Sequence, residues 1–575
     1  MDRKKNELTG AEIIWECLAR EGVDVVFGYP GGAILPAYDA LNKYTDKIHH
    51  VLVRHEQGAT HMADGYARAS GKVGVAMATS GPGAANMVTG IATAMMDSIP
   101  IVCITGQVPR AAIGSDAFQE TDIAGAVIPV SKHSYLVMDI NDLANTIKEA
   151  FAVARSGRPG PVLVDIPKDI QTQSINFIYP EAPIVIPGNN IIKKANINDL
   201  EEARDLIYNA ERPVILAGHG ILLSGASEEV INLAETANIP IAWTLLGSGA
   251  IPSSHPLNMG MMGMHGEFAV NNAIQKADLL IACGMRFDDR VTGNVKTYSP
   301  DSKKIHIEID PAEINKNVRV DVGIFGDLKT VLKQLNPLLR QKSNQNWLKD
   351  ITVWRSESLE RDIINLQTDT LYGAQVIYDL WKETKGNAIV VSDVGQHQML
   401  EAQYFQHEEP NTLLTSGGLG TMGFSLPAAI GASFSKTEKE IWVIVGDGSI
   451  QMTITELATA VQEQANIKIA IINNGYLGMV RQWQQLFYDA RYKETPISSP
   501  DYLKIAEAYG LEGFRVKKRN EISETVYKVQ KIKGPVLVEF VVEQHDMVYP
   551  MVPAGADLHE MINRPVHDQF QESEM

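Results

Sequence analysis

The stretch IWVIVGDGSIQMTITELATAVQEQANIKIAIINNGY, residues 441–476, decides the fold class of this chain. Its two ends, 441–445 and 467–472, are apolar runs rich in β-branched residues, which predict buried strands. The segment from Thr453 to about residue 463 has a helix-forming composition, so the whole predicts a right-handed crossover between adjacent parallel strands about 4.8 Å apart. Asp447 and Asn474 follow these strands and are expected side by side, where open α/β sheets bind ligands.

The residue types at this edge indicate a metal that holds a diphosphate. A carboxylate and an amide oxygen suit Mg²⁺, which keeps coordination sites free for phosphate oxygens. Gly446 and Gly448 have no Cβ, so the backbone can approach a diphosphate closely. GDG or NNG alone is more often an ordinary turn or strand end. Together, at this spacing, they resemble the thiamine diphosphate enzyme superfamily, which implies the Tyr476 carbonyl as a third protein ligand.

Length and composition limit the classes of protein. A chain of 575 residues predicts about three or four domains. The net charge of −18 argues against a nucleic-acid or anionic-membrane partner. Cys17, Cys103 and Cys283 lie far apart in apolar surroundings, which is typical of reduced core thiols. With no apolar run near the roughly 18 residues of a membrane span, we expect a cytoplasmic protein.

Strand and helix patterns alternate through three successive regions. We therefore expect an α/β protein of three consecutive doubly wound parallel-sheet domains, at 1–185, 186–370 and 371–575. The stretch 171–198, with prolines and no sustained periodicity, predicts a linker. GGLGTMG at 417–423 matches the dinucleotide fingerprint GxGxxG, but the next strand ends in GDG rather than in the acidic residue of an NAD site.

Glu56 is the second candidate for catalysis. It lies in RHEQGATHMADGYARASG, just past a predicted strand and at the start of a helix. Thiamine chemistry needs little acid–base machinery from the protein, because the cofactor itself supplies the electron sink. It does need one carboxylate at the aminopyrimidine ring nitrogen, which favours the imino tautomer that removes the C2 proton. A first-turn glutamate favoured by the helix dipole is the ordinary interpretation. The metal motif favours the catalytic one.

At family level the chain resembles the large catalytic subunit of acetohydroxyacid synthase, also called acetolactate synthase, from about residue 10 to 565. The segments that carry the resemblance are TSGPGAAN, QVPRAAIGSDAFQETD, GPVLVDIPKD, MMGMHG, MRFDDRVTG, IEIDPAEI, SGGLGTMGFSLPAAIGA and GMVRQWQ. The resemblance implies a transferase that decarboxylates pyruvate on thiamine diphosphate. The resulting carbanion adds to a second pyruvate or to 2-ketobutyrate, for branched-chain amino-acid synthesis.

The resemblance also assigns residues to the reaction. Trp483 would contact the side chain of the second ketoacid and favour one extra methylene, worth about 1–3 kcal/mol. Met422 would support the bent cofactor, and Arg286 would bind the carboxylate of the second substrate. The N-terminal active-site residues would be Gly31, Phe118, Gln119 and Lys168. The remaining residues at the cofactor or its diphosphate would be Gln396, His397, Gly418, Ser449, Met479 and Val480.

FAD is implied by the resemblance although the net reaction involves no oxidation. It would lie along the middle domain, with Arg286 at its edge. The other implied flavin residues are Arg158, Gly218, His219, Gly220, Met264, His265, Gly266, Asp310 and Asp327. The segment MVPAGADLHEMI, 551–562, resembles the family's closing segment over the active site.

Partners and alternatives follow from the same resemblance. The active site would lie between subunits of a homodimer or tetramer, with Glu56 and Asp447 acting across the interface, and a small regulatory subunit is expected. A flavin-dependent pyruvate oxidase shares the architecture and both cofactors. A glyoxylate carboligase would have an apolar residue in place of Glu56. A non-catalytic nucleotide-binding protein of the same fold, or a dehydrogenase, fits the residues less well.

Overall fold

The computed structural model describes residues 6–186, 195–359, 361–366 and 368–565. Within these residues lie three six-stranded sheets in which every neighbouring pair of strands is parallel, so the predicted fold class is confirmed. The sheets fall inside the predicted ranges 1–185, 186–370 and 371–575, whose bounds stay a prediction. The middle of the predicted linker, 187–194, lies outside the described residues.

The N-terminal sheet has the strand order β3-β2-β4-β5-β7-β6. Its strands are β2 (Val25–Gly28), β3 (His49–Leu52), β4 (Gly74–Ala78), β5 (Ile101–Gln107), β6 (His133–Leu136) and β7 (Val162–Pro167), and β1 (Glu7–Thr9) pairs antiparallel with β8 (Ser174–Asn176). The helices are α1 (Gly10–Arg20), α2 (Leu35–Leu41), α3 (Glu56–Ser70), α4 (Pro82–Asn86), α5 (Val88–Asp97), α6 (Ile123–Ala126), α7 (Ile140–Arg155) and α8 (Lys168–Thr172). The pair β1–β8 was not predicted, because three residues are too few to show a period.

The middle sheet has the order β11-β10-β9-β12-β13-β14, which is the classical dinucleotide-binding order. Its strands are β9 (Pro213–Ala217), β10 (Ile241–Trp243), β11 (Asn258–Met261), β12 (Leu279–Cys283), β13 (Lys303–Glu308) and β14 (Val322–Phe325). The helices are α9 (Ile197–Asn209), α10 (Gly220–Ser224), α11 (Ser227–Ala237), α12 (Phe268–Lys276), α13 (Asp289–Thr292), α14 (Leu328–Leu335) and α15 (Gln345–Leu359).

The C-terminal sheet has the order β16-β15-β17-β18-β20-β19, the same pattern as the N-terminal sheet. Its strands are β15 (Ala388–Ser392), β16 (Leu413–Thr415), β17 (Glu440–Gly446), β18 (Ile467–Asn473), β19 (Glu512–Val516) and β20 (Val536–Val541). The helices are α16 (Gly373–Thr384), α17 (Gln396–Tyr404), α18 (Ser425–Ser433), α19 (Asp447–Thr453), α20 (Leu457–Gln462), α21 (Gly478–Phe487), α22 (Tyr502–Tyr509) and α23 (Ile522–Gln530). Short 3₁₀ helices occupy Arg110–Ala112, Ile128–Val130, Leu245–Gly247, Asn336–Leu338, Ile454–Glu456 and Arg519–Glu521.

Each sheet has one point where the winding of the chain reverses. These points lie between β2 and β4, between β9 and β12, and between β15 and β17. Loops diverge there and leave a crevice outside the carboxyl ends of the strands, which is where α/β sheets bind ligands. The predicted metal motif follows β17, so the fold places it at the third of these crevices.

The N- and C-terminal domains share one hydrophobic core, which includes Phe27 of β2 and Val443 of β17. At its centre α3 packs against α18 so closely that glycine is required. A Cβ on Gly65 would lie 2.0 Å from the Ala428 carbonyl oxygen, and one on Gly431 would lie 1.9 Å from that of Met62. The two domains are therefore fixed to each other by backbone-to-backbone contact.

The remaining features of the fold agree with an ordinary globular interior. Cys17, Cys103 and Cys283 are buried as free thiols, and burial raises the pKa of the Cys17 thiol to about 12. Over the described ranges, none of the helices is both long enough and apolar enough to span a bilayer.

Gly65→Ala should destabilise the protein through this helix contact. The added methyl would force α3 and α18 apart, and overpacking of this kind costs about 1–3 kcal/mol. We expect a clear drop in the thermal unfolding midpoint. Gly160→Ala is the matched control, since its Cβ would meet ordinary contacts at 3.5 Å, and a midpoint for Gly65→Ala equal to that of this control would contradict the packing argument.

Candidate functional site

The crevice between β15 and β17 is a cavity of about 80 Å³. It lies at the carboxyl ends of these strands, as the sequence predicted. With the exception of Gly418, the residues predicted at the cofactor's diphosphate and metal all line it. They are Gln396, His397, Met422, Gly446, Asp447, Gly448, Ser449, Asn474, Tyr476, Met479 and Val480.

Asp447 is the first residue of α19, directly after β17. The sequence predicted this helix only from Thr453 onward. The carboxylate of Asp447 is 1% exposed, and its Oδ2 accepts hydrogen bonds from the Gly475 N–H at 3.0 Å and from Ser499 Oγ at 3.1 Å. Burial raises the pKa of Asp447 to about 6, against the opposing effect of these hydrogen bonds. A buried carboxylate without a cation beside it is suited to a divalent metal.

Asn474 is held beside Asp447 by a chain of amide groups. Its Nδ2 donates to Gln396 Oε1 at 3.2 Å, and Gln396 Nε2 in turn donates to Gln482 Oε1 at 3.0 Å. The Asn474 oxygen accepts from the Tyr476 N–H at 3.1 Å and keeps a second lone pair. The described part of the chain has no cluster of three His, Cys, Asp or Glu side chains suited to a metal, so a carboxylate–amide–carbonyl set of hard oxygens is the candidate.

His397 explains why glycine precedes Asp447. A Cβ on Gly446 would lie 2.8 Å from the His397 ring, and one on Gly395 would lie 2.9 Å from it. Burial lowers the pKa of His397 to about 4, so the ring is neutral at pH 7. His397 lines the cavity, and its buried Nε2 has no hydrogen-bond partner among the residues that the structure describes. An unpaired polar atom of this kind fits a ligand with oxygen atoms such as a diphosphate.

Met422 lies in a turn that a buried carboxylate fixes. Asp393, just past β15, accepts the Gly423 N–H at 2.9 Å and the Ser425 N–H at 2.8 Å. These bonds hold the turn against the end of β15 and so place Met422 at the cavity wall. Asp393 was not predicted at the site, although it directly follows a predicted strand.

A second cavity, of about 1040 Å³, lies where the three domains meet. It includes the crevice of the middle sheet, where glycines allow β9 and β12 to end in contact: a Cβ on Gly218 would lie 2.2 Å from the Gly284 carbonyl oxygen. Trp483, Met422 and Gly418 form part of the wall from the C-terminal domain. The predicted flavin residues that line it are Arg158, His219, Gly220, Met264, His265, Arg286 and Asp327.

The other predicted flavin residues lie beside this cavity. Asp310 pairs with Arg158 at 3.5 Å and faces a neighbouring cavity of about 540 Å³. A Cβ on Gly266 would collide with the backbone of Gly263 at 2.6 Å, so its glycine serves the tight turn. Arg290, which the sequence analysis did not single out, lines the large cavity together with Arg286.

A buried ion pair of the N-terminal domain holds the loop that carries Gly418. Asp97 Oδ2 accepts from Arg68 at 2.7 Å, and both side chains are nearly or fully buried, at 0% and 6% exposed. The same carboxylate accepts the Gly417 N–H at 3.1 Å and the Gly418 N–H at 2.7 Å. The loop at the C-terminal cavity is thus fixed by a side chain from the N-terminal domain.

Glu56 begins α3 and lies at the carboxyl edge of the N-terminal sheet. Asn86 Nδ2 donates to its Oε2 at 2.9 Å, and a Cβ on Gly83 would come within 3.1 Å of its Oε1. Gly31 packs against Thr79 at the crevice between β2 and β4, with a Cβ distance of 2.5 Å. Glu56 and Gly31, which were both predicted at the N-terminal part of the site, therefore lie at the same edge of the sheet.

The other predicted N-terminal residues lie at the same edge. Gln119 has a left-handed backbone, with φ 59°, and approaches Gly81, whose Cβ would lie 2.8 Å from its carbonyl oxygen. Phe118 beside it is 88% exposed, which is unusual for a phenylalanine. Lys168 begins α8 directly after β7. Glu56, Gln119 and Lys168, around the exposed Phe118, are partly exposed.

The N-terminal residues that line the large cavity and the residues around Glu56 lie at opposite edges of the N-terminal sheet. Met96–Ser98 and Arg155–Pro159 line the large cavity, and they precede β5 and β7. Glu56 and Lys168 instead follow their strands. The seven residues of β5 at ~3.3 Å each separate these edges by roughly 20 Å. Met422, Met479 and Val480 line both cavities, so within one chain the cavity at Asp447 lies toward the edge opposite the carboxylate of Glu56.

Comparisons with known proteins find three domains of one enzyme family in succession along the chain. Models of the thiamine pyrophosphate enzyme N-terminal TPP binding domain, central domain and C-terminal TPP binding domain match residues 8–126, 200–335 and 393–540. The acetolactate synthase large subunit of Corynebacterium glutamicum is 47% identical over 561 residues, 96% of this chain and 89% of its own. That of Mycobacterium tuberculosis is 46% identical over 581 residues, 98% and 94% of the two chains. The probable large subunit of Methanocaldococcus jannaschii is 44% identical over 567 residues, 96% and 95%.

Asp97→Ala should destabilise the protein strongly. It leaves the Arg68 guanidinium buried with one carboxylate fewer and two loop amides unpaired, and removal of one partner from a buried pair costs about 3–5 kcal/mol. The midpoint of urea unfolding measures the effect. His49→Ala is the control, because its interdomain contact to Glu463 at 2.7 Å is half exposed, and such pairs contribute about 0–1 kcal/mol. Equal midpoints for the two variants would show that Asp97 is not a structural link.

Proposed function

The chain belongs to the acetolactate synthase large-subunit family, and from this we propose how its residues divide the work of joining two 2-ketoacids. It is a thiamine diphosphate-dependent enzyme of branched-chain amino-acid synthesis. Bound thiamine diphosphate supplies the electron sink for decarboxylation of the first ketoacid. The protein must bind and orient this cofactor, supply a carboxylate to its ring, and position the second ketoacid.

The metal and the diphosphate would be held at the C-terminal cavity. Oxygen atoms of Asp447, Asn474 and the Tyr476 carbonyl would bind Mg²⁺. The unpaired Nε2 of neutral His397 supports a role at a phosphate oxygen, to which it would donate from this nitrogen. Gln396, Gly418 and Ser449 would complete the cradle, and Met422, Met479 and Val480 would pack against the cofactor.

Glu56 would hold and move the proton at the aminopyrimidine ring nitrogen. The hydrogen bond from Asn86 fixes one carboxylate oxygen, and the other lies next to Gly83, where a Cβ would come within 3.1 Å of it. General acid–base catalysis by a positioned group typically contributes about 10²–10⁴-fold. The second ketoacid would meet Arg286 and Trp483 from one side and Gly31, Phe118, Gln119 and Lys168 from the other.

FAD is the occupant we propose for the large cavity. Its volume, about 1040 Å³, is at the upper end of the about 300–1,000 Å³ typical of small-molecule sites and far exceeds the need of a 2-ketoacid. Its position at the crevice of a sheet with the dinucleotide-binding strand order supports a dinucleotide. Arg158, Asp310 and Asp327 would bind the polar half of FAD.

Two copies of the chain would build each active site. The opposite placement of Glu56 and the Asp447 cavity is the observation that supports this proposal most strongly. In a homodimer or tetramer, the exposed Phe118 edge of one chain can cover the cavity of another. We also propose a small regulatory subunit as a partner, because the relatives are named large subunits.

An anaerobic assay tests the proposed reaction. The purified protein is given pyruvate, thiamine diphosphate, Mg²⁺ and FAD, with products identified by NMR while the flavin spectrum is followed. We expect acetolactate with the flavin remaining oxidised. Acetate or acetyl phosphate with a bleached flavin would make the protein a pyruvate oxidase, a reading that nothing here favours.

Glu56→Gln should slow exchange of the cofactor's C2 proton by at least a hundredfold, because an amide cannot transfer a proton to the ring nitrogen. Binding of cofactor and Mg²⁺ should stay within a factor of about three of the unaltered protein, since their ligands lie elsewhere. Proton exchange is followed by quenched-flow NMR in D₂O, and Glu202→Gln on the exposed face of α9 is the control. Near-normal exchange in Glu56→Gln would remove Glu56 from this role.

A further inference from the structure

Glu456 of the C-terminal domain binds the backbone directly in front of Glu56. Its Oε1 accepts the His55 N–H at 3.0 Å and the Arg54 N–H at 3.1 Å. Its Oε2 accepts the Thr459 hydroxyl at 2.7 Å. The side chain is buried, at 1% exposed. One carboxylate oxygen thus binds the loop before α3, and the other is held within its own domain by Thr459.

The fit of this carboxylate depends on a glycine in the first turn of α3. A Cβ on Gly58 would lie 2.4 Å from Glu456 Oε1. The Arg54 side chain does not neutralise the contact by a direct ion pair, because its guanidinium donates to the Leu52 carbonyl at 2.7 Å and to Gln462 at 2.9 Å. Burial raises the pKa of Glu456, so the arrangement has an electrostatic cost that backbone hydrogen bonds partly offset.

We propose that Glu456 is a positioning residue for Glu56 of the same chain. It fixes the two peptide units before Glu56, and thereby the start of α3 from which that carboxylate projects. The inference rests on the proposed role of Glu56. Truncating Glu456 removes the acceptor of two partly buried N–H groups, and the loop before α3 then loses two of its hydrogen bonds to the C-terminal domain.

The position of Glu456 along the chain gives this contact a second consequence. It ends the 3₁₀ turn that follows α19, the helix that Asp447 begins. Because Glu56 and Asp447 of one chain serve different active sites in the proposed dimer, Glu456 links this chain's half of one site to its half of the other. Asp97 makes the reciprocal contact, from the N-terminal domain to the amides of Gly417 and Gly418.

Hydrogen exchange of the protein without cofactors tests the contact itself. In Glu456→Ala, exchange of the peptide containing Arg54 and His55 should be at least tenfold faster than in the unaltered protein. Glu456→Gln should restore protection, since its carbonyl oxygen can accept both N–H groups. Glu463→Ala is the matched control, because it removes another carboxylate between the same two domains, at His49. Unchanged exchange in Glu456→Ala would overturn the proposal.

Exchange of the cofactor's C2 proton tests the effect on Glu56. It should be slowed at least tenfold in Glu456→Ala and be close to normal in Glu456→Gln and Glu463→Ala. If Glu456→Ala does not fold, Gly58→Ala displaces the same carboxylate from the other side and should give the same result. A rate unaffected in whichever of these two variants folds would contradict the positioning role.

Mixed dimers separate this inference from the proposed function. A dimer of one Asp447→Asn chain and one Glu56→Gln chain should recover one working site, and failure to recover would contradict the shared site itself. Given recovery, Glu456→Ala in the Asp447→Asn chain, which supplies the working Glu56, should lower turnover at least tenfold more than the same change in the Glu56→Gln chain. Equal losses for the two placements would overturn the proposal for Glu456.

Discussion

The whole arrangement depends on the fact that a parallel sheet has two unlike edges. Loops that follow strands gather at one edge and loops that precede them at the other, so glycine crevices and helix starts collect on one side only. In this chain the residues proposed at thiamine diphosphate, in both the N- and C-terminal domains, follow their strands. The shared core and the glycine contact between α3 and α18 then fix the domains so that these two edges do not face each other.

Buried carboxylates hold the loops in this rigid frame. Asp393 fixes the turn of Met422, Asp97 fixes the amides of Gly417 and Gly418, and Glu456 fixes the amides before Glu56. Each accepts two backbone N–H groups of the loop that it holds. A hydrogen bond to a charged group typically contributes about 1.5–3 kcal/mol. Two of the three act between domains, so the geometry of the loops at the proposed active site depends on how the domains pack together and not on one domain alone.

The sequence predicted the strands and the residues at their ends better than the contacts between distant parts of the chain. Apolar runs and glycines gave the α/β class, and the pair Asp447 and Asn474 was found from strand spacing alone, because period and crossover rules are local. Ser499 and Asp393 were missed since their partners lie far away in the chain. Gly446 stays predicted at the diphosphate, and the structure adds a second reason for glycine there, since a Cβ would meet the His397 ring. The left-handed backbone at Gln119 had no signal in a non-glycine residue.

A structure of the enzyme with bound thiamine diphosphate and Mg²⁺ would show directly whether two chains build each active site. We expect the Glu56 carboxylate of one chain to lie within hydrogen-bond distance, about 3 Å, of the aminopyrimidine nitrogen. The diphosphate of the same cofactor should be bound at the partner subunit's Asp447. A cofactor that joins Glu56 and Asp447 of the same chain would contradict this expectation.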